Sequence, residues 1–117
     1  MTITSDARAF RTMVRNEAFR WVEHVARRKR PAAAAEGFDV GTAMEQYWEQ
    51  YDSIDIGGDA RHTSRFEFDA SSGRISQTLH DPDGNDEWRL IGEVDLDASR
   101  TENRLVAVMT GVVVLGD

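Results

Sequence analysis

The sequence predicts an α+β domain in which two N-terminal helices precede a four-stranded antiparallel meander. Apolar residues recur every three or four positions up to about residue 52, and every second position after about residue 62. Clusters of Gly, Pro, Asp and Ser divide the alternating part into pieces of strand length. A chain of 117 residues has room for one core, so we expect residues 1–117 to form a single domain.

The first helix is expected over about residues 5–29. An apolar stripe runs along it from Phe10 to Val25 at helical spacing. Thr4 or Ser5 is expected to cap its first turn, because a hydroxyl oxygen accepts a backbone N–H group there. Pro31 lacks a backbone N–H and ends the helix.

A linker over 31–38 and a second helix over about 39–52 are expected next. Asp39 is a suitable cap for this helix, and an apolar stripe from Val40 to Tyr51 has helical spacing. The pair Gly57-Gly58 then breaks the chain.

The remaining residues alternate with the period of a strand. We place Ser64 in the first strand and Leu96 in the third. The fourth strand is apolar on both faces in its second half, which favours a central or helix-covered position over an exposed edge. The expected strands cover about 62–69, 74–80, 87–97 and 104–115. The economical arrangement lays the long helix across a curved sheet, as in cystatin-like and nuclear-transport-factor-like folds.

Several function classes lack their sequence signatures. The chain has no cysteine, and neither a phosphate-binding glycine loop nor a GxGxxG or GxSxG motif. Its histidines lack zinc-binding spacing, and we interpret the acids from Asp81 to Glu87 as a turn, not a calcium loop. His80 beside Asp81 is interpreted as a surface residue, with a strand-end base as the alternative. We therefore expect no cofactor or metal, and a non-enzymatic protein.

No stretch of the sequence is long and apolar enough to be a membrane span, and no signal-peptide core follows Met1. We therefore expect a cytoplasmic protein without a membrane partner.

Charge is distributed unevenly along the chain. The net charge is −7, yet residues 1–38 carry eight basic and four acidic groups, whereas residues 39–117 carry six basic and seventeen acidic groups. This distribution favours a local basic contact with RNA or with an acidic protein surface. A cationic helix C-terminus also complements the helix dipole without any partner. The predicted contact residues are Arg20, Arg27, Arg28, Lys29 and Arg30.

An alternative interpretation is a small-ligand pocket protein, or an enzyme, of the nuclear-transport-factor-like kind. Such a cavity would lie under the long helix, where carboxylates can transfer protons. The residues expected to surround it are Asp52, Asp59, Arg61, Gln77, Trp88 and Glu93.

A series of short motifs, in order and at matching spacing, resembles one family. The motifs are Arg15-Asn16, Phe19-Arg20-x-Val22-Glu23, Tyr51-Asp52-x-Ile54, Gly57-x-Asp59-Ala60-Arg61, Gln77-x-Leu79-x-Asp81-Pro82, Trp88 and Glu93-Val94-Asp95-Leu96. The family is the C-terminal domain of unknown function attached to actinobacterial DEAD/DEAH-box RNA helicases. The resemblance runs from about Met13 to Val114.

The resemblance implies an accessory or binding module that works beside RNA, a helicase or another protein partner. In those larger proteins the ATPase chemistry belongs to the helicase core, whose motifs this chain lacks. We also expect that two copies can associate through the sheet as a homodimer.

Overall fold

The computed structural model describes residues 3–28 and 38–115, and these residues form an α+β fold. The helices are α1 (Ala7–Ala26), α2 (Val40–Ala43), α3 (Glu45–Gln50) and α4 (Leu96–Glu102), with a 3-10 turn at Thr63–Arg65. The strands are β1 (Phe66–Phe68), β2 (Arg74–Thr78), β3 (Trp88–Val94) and β4 (Ala107–Val114). Neighbouring strands pair antiparallel in the order β1-β2-β3-β4, which confirms the predicted meander. No described helix combines the length and the apolar character that crossing a membrane requires.

The long first helix is shorter than predicted at both ends. Its cap is Asp6, not Thr4 or Ser5, and the Asp6 carboxylate accepts the backbone N–H of Ala9 at 3.1 Å. The helix ends at Ala26, and Arg28 takes a left-handed backbone conformation with φ 58°. The predicted linker over 31–38 lies outside the described residues except for Phe38, which packs against the core.

The second predicted helix is interrupted. Asp39 caps α2 as expected, and its carboxylate accepts the backbone N–H of Thr42 at 3.2 Å. Met44 then separates α2 from α3, although its N–H still bonds to the carbonyl of Val40 and its carbonyl accepts from Trp48. Gly41 and Thr42 both have low helix propensity, which favours the interruption in this segment.

The first strand begins later than predicted. Ser64 lies in the 3-10 turn, where its backbone N–H and its hydroxyl both bond to Nδ1 of His62, at 3.1 and 2.8 Å. This local capping by a side chain competes with strand pairing.

Leu96 was also predicted in a strand, but it lies beyond the end of β3 and opens α4. Asp95 caps that helix through a 2.9 Å bond from the N–H of Ala98, and Asn103 ends it in the left-handed conformation with φ 52°. Asp and Asn are both favoured capping residues. However, the apolar alternation of β3 continues to Leu96, so the sequence pattern does not show where the strand ends and the helix begins.

The expectation of a central position for the fourth strand is wrong, although a helix, α2, does pack against it. β4 lies at the edge of the sheet, beyond β3. The first half of β4 is the more buried half, and Met109 there is 1% exposed. In its second half Val113 is 39% exposed.

The core lies between α1 and one face of the sheet. α1 contacts β1, β2 and β3, and the indole of Trp21 packs directly on Gly92 of β3. A Cβ atom at Gly92 would lie 2.5 Å from Cζ3 of Trp21, so only glycine fits beneath the ring. Removal of this apolar helix face from water is the main contribution to the free energy that holds α1 on the sheet.

Candidate nucleic-acid interface

Two of the predicted contact arginines already pair with acidic neighbours on α1. Nη1 of Arg20 lies 3.2 Å from Oε1 of Glu17, and Nη2 of Arg27 lies 3.8 Å from Oε2 of Glu23. These pairs reduce the positive potential that Arg20 and Arg27 present to an anion.

A third predicted contact residue, Arg28, turns back onto the protein. Its guanidinium carbon lies 4.2 Å from the ring centroid of Trp48, and Nη2 donates to the carbonyl of Asp52 at 3.5 Å. Arg28 therefore connects the end of α1 to α3. The other two predicted contacts, Lys29 and Arg30, lie outside the described residues.

The residues of the alternative pocket do not share one face of the sheet. Gln77 and Trp88 lie on the core face and are 2% and 4% exposed. Glu93 pairs directly with Arg74, and both lie on the opposite, outer face because side chains alternate along a strand. A pocket beneath α1 would therefore lack Glu93.

The three loop residues of that set lie at the surface. Asp52 and Asp59 are exposed, and the main-chain carbonyl of Asp59 accepts Nη1 of Arg65 at 2.6 Å. Arg61 is also exposed, and its guanidinium carbon lies 4.4 Å from the ring centroid of Phe19 on α1. This contact places Arg61 beside the arginines of α1, in a basic site that the sequence analysis did not predict.

Three arginines form that site, which we call the arginine cluster: Arg11, Arg15 and Arg61. Arg11 and Arg15 are one turn apart on α1 and lie on the same side of the helix. Nη2 of Arg15 donates to the carbonyl of Arg61 at 2.5 Å, which joins the helix to the loop before β1. The guanidinium of Arg11 lies over the ring of Phe66 at 5.2 Å, and Nη1 donates to the carbonyl of Phe68 at 3.4 Å.

The arginine cluster has no ion-pair partner among the residues that the structure describes. Each of its guanidinium groups contacts a main-chain carbonyl or an aromatic ring, and none forms an ion pair with a carboxylate in the described parts of the chain. Asp69, at the end of β1, is occupied by its own turn. Its carboxylate accepts the hydroxyl of Ser71 and the N–H groups of Ser71 and Ser72, and these bonds lower its pKa.

A partly buried polar network supports the loop that carries Arg61. Nη2 of Arg65 lies 2.9 Å from Oδ2 of Asp86, and Nδ1 of His80 lies 2.8 Å from Oδ1 of the same carboxylate. The amide of Gln77 donates to the carbonyl of Arg65 at 3.2 Å. Burial acts to raise the pKa of Asp86, but the hydrogen bonds from His80 and Arg65 and their charges outweigh it, so this pKa is lowered.

The carboxylate of Asp81 organises the turn between β2 and β3. It accepts the N–H groups of Asp83, Asn85 and Asp86 at 3.0, 3.1 and 2.9 Å. This is the turn that the sequence predicts, and Asp86, not Asp81, is the partner of His80. Over 3–28 and 38–115, no group of three or more His, Cys, Asp or Glu side chains is arranged to hold a metal ion.

The predicted apolar stripe of the second helix contributes to the core. The hydroxyl of Tyr47 donates to the carbonyl of Ser53 at 2.6 Å, and the ring packs edge-on against Trp88 with centroids 5.4 Å apart. Burial raises the pKa of Tyr47, and the nearby carboxylate of Asp81 adds to this effect.

Sequence reasoning missed the arginine cluster because its members come from separate segments. The spacing of Arg11 and Arg15 was visible as an i, i+4 pair. Arg61 follows 46 residues after Arg15 and joins them only through the fold.

Comparison with known proteins gives one match. A family model described as a domain of unknown function (DUF3516) matches residues 1–112. Neither the curated proteins nor the solved structures contain a significant match to the chain.

Proposed function

This chain belongs to the DUF3516 family, and we propose that it is a non-catalytic accessory module whose arginine cluster binds the sugar–phosphate backbone of single-stranded RNA. The observation that carries the proposal is the grouping of Arg11, Arg15 and Arg61 without a carboxylate partner in the described residues. On the same helix, by contrast, Arg20 and Arg27 each lie within 4 Å of a glutamate carboxylate.

The geometry of the arginine cluster suits phosphate. A planar guanidinium donates two parallel hydrogen bonds to a phosphate group. The contacts of Arg11 with Phe66 and Phe68, and of Arg15 with Arg61, leave further N–H groups available and hold the side chains in place. A held side chain loses less conformational entropy when a phosphate binds.

RNA is favoured over an acidic peptide by the resemblance to helicase-associated domains. Acidic surroundings repel a long polyanion except at the cluster, so binding should be local and modest in affinity. In this role the module holds an RNA strand beside a DEAD/DEAH-box helicase, which supplies the ATPase chemistry. The six residues of the alternative pocket do not come together in one cavity, so the enzyme alternative gains no support.

The test compares two double variants of the full chain with the same change in net charge. Arg11→Gln/Arg15→Gln removes two members of the arginine cluster, whereas Arg20→Gln/Arg27→Gln removes two arginines of the same helix that pair with glutamates. Fluorescence anisotropy with a labelled single-stranded RNA at low salt measures the affinity. We expect the first variant to lose about tenfold and the second less than about twofold.

Circular dichroism and thermal melting establish that both variants are folded. Equal losses in the two variants would contradict the assignment of the site. Competition by polyglutamate as effective as competition by RNA would indicate an acidic protein partner instead.

We also propose that two copies pair through the second half of β4. From Thr110 to Leu115 this edge strand carries no charge, and Val113 and Leu115 are about 40% exposed. At the other edge, β1 has only three residues, and the carbonyl of Phe68 is bonded to Arg11. Natural edge strands are usually protected by charge or by shortness, which β1 shows and this part of β4 does not.

A further inference from the structure

A groove adjoins the arginine cluster on the side of the N-terminal half of α1. It lies between α1, the end of β1 and α4, has a volume of about 300 Å³, and is lined mainly by apolar side chains. Its apolar lining residues include Phe10, Phe68, Leu96 and Ala7. Phe10 and Phe68 pack with ring centroids 6.2 Å apart, and Phe68 is only half-buried.

Two arginines border this otherwise apolar groove. Arg11 belongs both to the groove and to the arginine cluster, and Arg100 reaches the groove from α4. Arg100 has an exposed ion pair with Asp97 at 3.3 Å, which is readily exchanged for another anion. The groove therefore combines an aromatic and aliphatic surface with cations at its margin.

We propose that this groove receives one nucleobase of the RNA strand whose phosphates contact the arginine cluster; this inference rests on the proposed function. Arg11 belongs to both sites. When its guanidinium binds a phosphate, the base of the same nucleotide lies close enough to turn into the groove. Every base has an apolar π-face, so stacking against Phe68 requires no sequence-specific hydrogen bond. A volume near 300 Å³ is at the small end of ligand pockets, which fits a single base better than a longer apolar chain.

The groove can be filled without altering the cluster. Ala7 is exposed, lies in the first turn of α1 and lines the groove, so Ala7→Phe places a ring in the space that the base would occupy. Ala9 is exposed in the same turn but does not line the groove, so Ala9→Phe is the matched control. Ala70 is exposed and also lines the groove, in the turn after β1, so Ala70→Phe provides a second variant if Ala7→Phe disturbs the helix.

The experiment uses two probes of equal length and charge, hexauridylate and an abasic ribose-phosphate hexamer. We expect the wild-type chain to bind hexauridylate about fivefold or more tightly than the abasic hexamer, as stacking of one base on an aromatic ring provides. Ala7→Phe and Ala70→Phe should abolish this preference and leave the affinity for the abasic hexamer unchanged. Ala9→Phe should keep the preference.

The outcomes separate this inference from the proposed function. Equal binding of both probes by the wild-type chain would overturn the base site and leave the phosphate contact intact. Loss of the preference in Ala9→Phe as well, or its persistence in both groove-filling variants, would place the base elsewhere and also overturn the inference. Binding of neither probe would contradict the proposed function itself.

Discussion

The close contact between Trp21 and Gly92 makes a specific prediction about how α1 is held on the sheet. In Gly92→Ala, the new methyl group would lie 2.5 and 2.6 Å from two atoms of the Trp21 ring and 2.7 Å from the carbonyl oxygen of Val108. Trp21 is only 2% exposed, so the ring cannot move aside without displacing α1. Overpacking of a buried site typically costs 1–3 kcal/mol, and with backbone involved we expect about 3 kcal/mol.

Thermal and urea unfolding, followed by circular dichroism, measure this effect. For a domain of this size, about 3 kcal/mol corresponds to a decrease in Tm of about 12 °C. Gly111→Ala is the matched control on the neighbouring strand, because a Cβ there meets no atom within 4 Å. Gly111→Ala should leave the free energy of unfolding unchanged or raise it by about 0.5 kcal/mol, because alanine lowers the conformational entropy of the unfolded chain.

A double-mutant cycle attributes the effect to the ring. In the background of Trp21→Leu, which leaves space above the strand, adding Gly92→Ala should cost clearly less than in the wild-type chain, and the remaining cost comes from the carbonyl oxygen of Val108 at 2.7 Å. If the Tm of Gly92→Ala lies within about 2 °C of the Tm of the wild-type chain, the close packing of Trp21 of α1 on Gly92 of β3 is refuted.

Two further predictions concern stability and association. Asp86→Asn keeps a residue that tolerates the φ of 53° but removes the charge opposite Arg65, and should lower the free energy of unfolding at pH 7 by about 1–2 kcal/mol. Because the folded state lowers the pKa of Asp86, the stabilisation by its carboxylate is present above the unfolded pKa of about 4 and is lost as the pH falls through the folded pKa. Urea unfolding from pH 7 to pH 3 should therefore show the free energies of unfolding of the variant and the wild-type chain converging below pH 4. A difference that stays constant with pH would contradict the ion pair. Sedimentation equilibrium should show concentration-dependent dimers that Val113→Lys weakens at least tenfold, and a wild-type chain that stays monomeric at high concentration would contradict pairing through β4.

The sequence predicted the parts of the fold that depend on local periodicity. The apolar stripe of α1 and the alternation of β2 and β3 each repeat over enough residues to identify the element, and Asp39 identified a helix start. The meander followed from short turns rich in Gly, Pro and Asp, which join neighbouring antiparallel strands. Membership of a single domain and a relation to cystatin-like or nuclear-transport-factor-like folds stay predictions.

The errors arose where tertiary structure decides. Leu96 continues the alternation of β3, yet Asp95 caps a helix at that point. The apolar second half of β4 indicated a covered strand, but the number of strands beyond it cannot be read from its own composition. The arginine cluster depends on a contact between Arg15 and the main chain of Arg61, which no local pattern encodes.

The salt dependence of RNA binding tests the central claim most directly. Three phosphate contacts on a single strand give a slope of log affinity against log salt of about −2, so affinity should fall about 20-fold between 50 and 200 mM salt. Removal of Arg11 and Arg15 as the glutamine double variant should reduce the slope to about −0.7, whereas the Arg20/Arg27 variant should keep the wild-type slope. A slope that changes equally in both double variants would contradict an RNA site at the arginine cluster.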